Sequence, residues 1–249
     1  MKKKQKIPTI EAFTASLNFS LREFHTKKYF LSSNMRHYRS LVDVIKKIPE
    51  KARILSLGAG GAFVEEYLAR NCEALITVAD FPAVLELNQK LYNTIFEKTI
   101  PVDLVASPLD FGNNLFDAIL WFDNIEHVPR DPKEIILSVT KSLKYGGFIF
   151  LATDNIACLR NIGKLLIGHN ILPNPSRLFS PVSFENEGVH RRLYTAKEIK
   201  NVFSDCGLTC YTISYLWQKR RTGITIPFMW IETLFPRFRP HMLISAKKC

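Results

Sequence analysis

Short runs of β-branched and aliphatic residues alternate along this chain with longer stretches whose apolar positions recur every three or four residues, the pattern of a parallel sheet wrapped by helices. The apolar runs predict strands at 53–57, 75–80, 103–106, 118–122 and 147–153. Helical periodicity lies between them, near 63–71, 83–96 and 132–144. The last of these opens on Asp131-Pro132, an N-cap followed by proline at the first helical position, and stops before Gly146-Gly147. "DAILWF" and "FIFLA" are apolar on both faces, so helices are expected to cover each side of the sheet. An open, doubly wound α/β layer follows.

Residues 10–48 read as helical and aromatic, with Phe13, Phe19, Phe24, Tyr29, Phe30 and Tyr38 spaced irregularly. The expected organisation is a helical N-terminal cap at 1–48 and a main domain at 49–249. After the fifth strand the rhythm breaks, and a proline-containing stretch at about 156–194 suggests an insertion over the ligand edge of the sheet. "TAKEIKNVFSDCGL" restores a helix, with Thr195 as N-cap and Gly207 as the stop. "TCYTISYLW" and "HMLISAKK" read as two final strands joined by a long basic and aromatic connection.

Composition narrows the class. With 249 residues and 47% hydrophobic content, the chain can bury a large core, which excludes a disordered polypeptide. The formal net charge is +11, and basic residues gather at Lys2, Lys3, Lys4 and Lys6 and again at Lys219, Arg220, Arg221, Arg237 and Arg239. Such a balance suits plain solubility, an acidic partner or an anionic membrane surface. The N-terminal lysines lack the apolar run of a secretory signal, and no stretch approaches the roughly 18 apolar residues of a membrane span. A cytoplasmic protein is expected, with peripheral membrane contact left open. The five cysteines form neither a CxxC pair nor a zinc spacing, so they read as free thiols, mostly buried.

Chemistry enters at "RILSLGAGGAFVEEYLARN". A glycine turn between strand and helix lets backbone approach a ligand, and the helix aims its free N–H groups at the same spot. A ligand-free tight turn is the alternative these residues alone leave open. Asp80 ends the second strand about 20 residues later, where an acid can accept from both hydroxyls of a ribose. Gly58, Gly60 and Asp80 therefore suit an adenosine-containing cofactor, either NAD or S-adenosylmethionine. The dinucleotide fingerprint asks for a third glycine at position 63, where this chain has phenylalanine.

The ordered set "ILSLGAGGAF", "VADFP", "SPLDF", "LFDAILWFDNIEHVPRDP", "LKYGGFIFLATDN" and "HRRLYTAKEIKNVFSDCGL" resembles the class I S-adenosylmethionine-dependent methyltransferases. The likeness is to the branch of ubiquinone-biosynthesis-type and bacterial sugar or glycolipid methyltransferases. It covers roughly 35 to 215. The resemblance implies a Rossmann-like sheet of seven strands, mostly parallel with an antiparallel last strand, and S-adenosylmethionine as cofactor. It implies that Gly58, Ala59 and Gly60 border the methionine part, that Asp80 holds the ribose, and that Phe81 packs on the adenine. Leu109, Asp110 and Phe111 would lie at the adenine, with Asp110 facing its amino group, and Asp123 joins the cofactor-binding set. Two departures stand out: Ser56 occupies the position of the usual acid two residues before the first glycine, and Ala62 that of the usual third glycine.

Methyl transfer to a hydroxyl benefits from a base, and histidine suits neutral pH. His127, just past the fourth strand, and His190, opening "HRRLYT", are the catalytic candidates; the alternative roles are backbone hydrogen bonding for His127 and capping the helix entry or orienting the loop for His190. His25, His37, His169 and His241 have no motif around them and receive no chemistry. Arg191 and Arg192 could meet an acidic substrate group or serve structural ion pairs. Asp123 and Asp154-Asn155 could hold magnesium as in catechol-type enzymes, but substrate contact or turn capping is preferred and no metal is expected.

The Asn/Asp-Pro-Pro-Tyr turn and the Pro-Cys nucleophile of DNA methyltransferases are absent, and the basic charge is not interleaved with aromatics as in an RNA-binding module. The expected function is methylation of a small or lipid-linked acceptor, foremost a sugar or glycolipid hydroxyl, with peripheral membrane contact through "LWQKRRTGITIPFMWIETLFPRFRPHMLI". A non-catalytic cofactor-binding scaffold or membrane adaptor and an RNA methyltransferase are the alternatives.

Overall fold

Ile119, Leu120 and Trp121 are each fully buried, which consecutive strand residues achieve only when both faces of their sheet are covered. The computed structural model describes residues 6–22, 27–106, 108–180, 188–217 and 226–249. Lys2, Lys3, Lys4, Phe24, His25, Lys219, Arg220 and Arg221 lie outside the described residues, as do 181–187 of the expected insertion.

The strands are β1 (Arg53–Leu57), β2 (Leu75–Asp80), β3 (Lys98–Pro101), β4 (Phe116–Phe122), β5 (Leu143–Asp154), β6 (Leu208–Leu216) and β7 (His241–Lys248). They form one seven-stranded sheet in the order β3-β2-β1-β4-β5-β7-β6. The pairs from β3 to β5 are parallel, and β7 runs antiparallel to both β5 and β6. The doubly wound α/β sheet with an antiparallel last strand is thus present. Chain order reverses between β1 and β4, so the connections leaving their carboxyl ends part in opposite directions and leave a crevice there.

Alternation splits the core. Leu55, Leu57, Ile119 and Trp121 face α6 (Pro132–Ser142) and α9 (Ala196–Asp205). Ile54, Val78, Leu120 and Phe150 face α1 (Ile10–Ser16), α2 (Lys27–Lys47), α3 (Phe63–Asn71) and α5 (Gln89–Ile95). The N-terminal helices therefore share their core with the sheet, through Phe13, Phe30, Leu41, Val44 and Ile45. α6 starts as expected, with the Asp131 carboxylate accepting from the Lys133 N–H, and α9 carries a full capping box between Thr195 and Glu198.

Several expected boundaries move. The third strand is 98–101, not 103–106: the latter forms a turn in which Asp103 accepts from the Val105 N–H, and its leucine, Leu104, is buried as a core plug. The expected helix at 83–96 divides at Asn88 into α4 (Pro82–Leu87) and α5, because the buried Asn88 side chain donates to the Val84 carbonyl and its backbone leaves the helical region. The helix expected to reach 144 ends at Ser142, and β5 begins four residues before the expected 147. The 156–194 stretch contains α7 (Leu159–Leu166) and α8 (Pro175–Leu178), and α10 (Ile226–Leu234) lies in the connection before β7. Cys72, Cys158, Cys206 and Cys249 are free; the first is half-buried, the next two buried and the last exposed. Among the described residues no helix is long and apolar enough to cross a membrane.

Candidate active site

The turn after β1 holds Gly58, Gly60 and Ala62 in left-handed backbone, with φ of 60°, 50° and 48°. A Cβ on Gly58 would lie 2.4 Å from Asn124 Nδ2, and Asn124 is itself fixed by the Trp121 indole N–H, 2.9 Å from its Oδ1. Glycine is required there on both counts. Ala62 accepts the same region at a cost of about 1 kcal/mol. Asp80, at the tip of β2, reaches across to this turn: Oδ2 accepts from the Gly60 N–H at 2.9 Å, and Oδ1 from its neighbour Phe81 N–H at 2.8 Å. Burial pushes the Asp80 carboxyl up to about 6, against the lowering effect of those two N–H groups and of Tyr92. Arg22 braces the turn from behind, donating to the Gly61 carbonyl at 2.7 Å while pairing with buried Glu66 at 2.6 Å.

Beneath the turn, Ser56 Oγ donates to Oε1 of Glu65 at 2.8 Å. Glu65 is buried in the first turn of α3, and burial pushes its carboxyl up to about 7.

A second polar cluster gathers where β4 and β5 end and β7 begins. Asp123 leaves β4 with φ of 51° and pairs with Arg36 of α2 at 3.1 Å. His241, buried at the start of β7, sits between two carboxylates: Nε2 lies 2.9 Å from Asp123 Oδ1, and Nδ1 lies 3.3 Å from Asp154 Oδ1. Burial alone would lower the His241 pKa, but Asp123 and then Asp154 outweigh it and raise it to about 9. Burial opposes ionisation of both carboxyls as well; Arg36 and His241 nevertheless hold Asp123 far below its usual range, and His190 and His241 do so for Asp154.

His190 Nδ1 faces the other Asp154 oxygen at 3.2 Å, an interaction that raises its pKa. His127 Nδ1 meets the Val189 carbonyl at 3.1 Å, so Nδ1 carries the proton and Nε2 is bare. Burial, with His190 nearby, lowers His127 to about 4 and keeps it neutral. The two imidazoles meet edge to face at 4.7 Å. Glu126 accepts from the Thr153 hydroxyl at 2.7 Å and is raised to about 7 by burial and by Asp123 and Asp154. The loop carrying His190 is docked by two N–H donations, from Arg191 and Arg192 to the Glu126 carbonyl.

Members of both groups line one cleft of about 290 Å3, just under the usual range for small-molecule sites. Of the expected site residues, Gly58, Ala59, Gly60, Asp123, His127 and His190 line it together, alongside Tyr29 and His37 of α2 and Glu65 of α3. Asp80, Phe81, Leu109, Asp110 and Phe111 are not among its lining residues. Asp80 is joined to the cleft through Gly60, Asp110 is exposed with its carboxylate on the Gly112 N–H, and Phe111 is buried in the core. The arginines after His190 meet their own chain: Arg191 donates to the carbonyls of Leu178 and Ser180, and Arg192 pairs with Glu198. Glu126, His127 and His190 each bring one donor atom within 4.8 Å of the others, a spacing a cation could bridge.

The sequence profile of the methyltransferase domain family Methyltransf_23 matches residues 30–213, well over half of the chain. The chain belongs to this family. Curated relatives include the ubiquinone biosynthesis O-methyltransferase of Xanthomonas oryzae pv. oryzae, 36% identical over 108 residues, or 42% of this chain and 44% of the relative. The enzyme of the same name from Idiomarina loihiensis is 31% identical over 125 residues, covering 47% and 46%. The match thus spans about half the length of these relatives. Solved structures share the fold: an S-adenosylmethionine-dependent methyltransferase from Thermotoga maritima, titled a possible histamine N-methyltransferase, aligns at 15% identity over 90% of this chain and 94% of its own, with a TM-score of 0.59. Another from Mesorhizobium loti aligns at 16% identity over 85% and 97%, with a TM-score of 0.58.

For a member of the methyltransferase family the cofactor is S-adenosylmethionine, and the residues present fit it. Gly58 forms a cradle that a Cβ would fill, and a buried carboxylate ties the turn to the tip of β2. Five cluster residues carried no functional assignment from sequence: Arg36, Glu65, Glu126, Asp154 as a histidine partner, and His241. Glu126 stands inside "DNIEH", where its place next to His127 in the turn after the fourth strand was the available signal. Arg36 and His241 lie 87 and 118 positions from Asp123, and no local pattern connects them.

Proposed function

We propose that this methyltransferase methylates a hydroxyl oxygen on a small or lipid-linked acceptor. The observation that carries this reading is the Asp154–His190 pair, whose histidine lines the cleft that the glycine turn also lines. S-adenosylmethionine, when bound, supplies an electrophilic methyl carbon on a sulfonium. The Gly58–Gly60 turn and Asp80 would hold it. The ionised Asp154 accepts Nδ1–H of His190, which fixes the tautomer with Nε2 bare and facing the reacting hydroxyl. His190 Nε2 takes the hydroxyl proton, and Asp154 stabilises the imidazolium that results. His127, uncharged, offers its own bare Nε2 as an acceptor for a second donor group on the substrate.

The printed name of the curated relatives supports a hydroxyl on a ubiquinone precursor. A sugar or glycolipid hydroxyl is the second reading, and exposed apolar side chains support a lipid-bearing acceptor in either case. Leu165, Leu166 and Ile167 at the end of α7, Phe179, and Trp230, Leu234 and Phe235 around α10 are all exposed. Together with the basic C-terminal stretch they support peripheral contact with an anionic membrane.

Incubation with methyl-labelled cofactor and either a prenylated dihydroxybenzene or a lipid-linked sugar separates the acceptors, and labelling of neither would reject the hydroxyl assignment. Asp80→Ala is expected to weaken S-adenosylhomocysteine binding by about 1–3 kcal/mol in isothermal titration, through loss of a buried charged acceptor. Unchanged affinity would place the nucleoside elsewhere.

A further inference from the structure

The methionine half of the cofactor ends in an ammonium group, and a cation set against buried side chains needs an anion whose charge is not already met. Two carboxylates line the cleft, Asp123 and Glu65. Asp123 is already paired with Arg36 and His241. Glu65 is different. Its one side-chain donor among the described residues is the neutral Ser56 hydroxyl, and Arg22, the cation that acts on it from a distance, is committed to Glu66 at 2.6 Å.

Position 56, where the resemblance described above implies an acid, holds a serine. The side chain of Glu65 reaches back from α3 to within 2.8 Å of that serine, so the carboxylate missing from the strand is returned from the helix. We propose that Glu65 has taken over the anionic position lost at Ser56 and receives the α-ammonium group of the cofactor, with Ser56 orienting its carboxylate. This rests on the methyltransferase reading above and specifies which residue recognises the amino-acid half. The raised pKa of Glu65 agrees with it, since a buried carboxylate without a cation holds its proton more tightly, and a bound ammonium would release that proton.

Two ligands separate the halves of the site. S-adenosylhomocysteine carries the nucleoside and the amino acid; 5′-methylthioadenosine carries the same nucleoside without the amino acid. Isothermal titration of the full chain is expected to show Glu65→Gln losing about tenfold or more in affinity for S-adenosylhomocysteine. Affinity for methylthioadenosine should stay within about twofold. The double variant Ser56→Asp with Glu65→Ala returns the acid to the strand, and should recover S-adenosylhomocysteine binding to within about threefold of the parent. Equal losses for both ligands, with a lowered unfolding temperature, would reduce Glu65 to a structural residue and overturn the proposal. Unchanged binding of S-adenosylhomocysteine by Glu65→Gln would also overturn it. Failure of the parent protein to bind either ligand would instead remove the cofactor reading, and this proposal with it.

Discussion

Replacement of His241 by alanine is expected to destabilise the fold by about 3–5 kcal/mol, the cost of removing one member of a buried ion network and leaving the others under-compensated. His241 is almost completely buried and faces Asp123 with one ring nitrogen and Asp154 with the other. Without it, Asp123 retains Arg36 and Asp154 retains His190, so two carboxylates share one fewer positive charge. Urea denaturation followed by circular dichroism measures the loss. A change below about 1 kcal/mol would show that the carboxylates are adequately met by Arg36, His190 and water alone.

The same histidine gives the effect a defined pH dependence. Its folded-state pKa, about 9, stands above the ordinary value of 6.5 that it regains on unfolding. The folded protein therefore holds the proton more tightly, and the stabilisation is complete below pH 6.5 and is lost as pH rises through 9. Across that window the parent should lose on the order of 3 kcal/mol that the alanine variant lacks. Glu65 and Glu126 act mainly at lower pH, because their carboxyls move from 4.5 to about 7 on folding. Comparing parent and variant between pH 7.5 and 9.5 isolates His241.

The parts of this fold that were legible in sequence are those specified by neighbouring residues. β1, β2 and the interior of β4 and β5 announce themselves by runs of apolar residues on both faces, and the starts of α6 and α9 by Asp131-Pro132 and by the Thr195–Glu198 box. β3 was misplaced because an edge strand pairs on one side only, and its four residues carry little apolar signal. The leucine and valine at 104 and 105 look like strand but serve as a core plug in a turn.

The site divides in the same way. Gly58, Asp80 and His127 lie at or just past strand ends and His190 opens "HRRLYT", so all four could be named from sequence. The groups that set their electrostatics come from elsewhere: Arg36 from a helix before the sheet, and His241 from a strand that enters antiparallel beside β5. Antiparallel entry is what brings the amino end of β7 to the carboxyl ends of β4 and β5. His241 thereby opposes Asp154 in register, a pairing that only the sheet topology creates.

His190→Gln is expected to lower kcat by about 10²–10⁴-fold with little change in cofactor affinity, since the residue moves a proton and the glycine turn and Asp80 hold the nucleoside. Glutamine keeps approximate size and can donate to Asp154, yet it cannot take the acceptor's proton. Because Asp154 raises the His190 pKa above its ordinary value of 6.5, the parent's kcat/KM should climb with pH until His190 is deprotonated, with its midpoint above 6.5. Asp154→Asn removes the negative partner, so that midpoint should move down while the maximal rate falls. His127→Gln provides the contrast: with its pKa near 4, His127 is neutral throughout, so its loss should raise KM or lower kcat without moving the midpoint. Rates measured with and without EDTA distinguish proton transfer from cation binding by Glu126, His127 and His190. A His190→Gln enzyme with parental kcat, or a midpoint unmoved by Asp154→Asn, would transfer the base role to another group at the cleft. Glu126 is the next candidate, because its carboxyl, raised to about 7, has an oxygen within 4.8 Å of ring nitrogens of both His127 and His190.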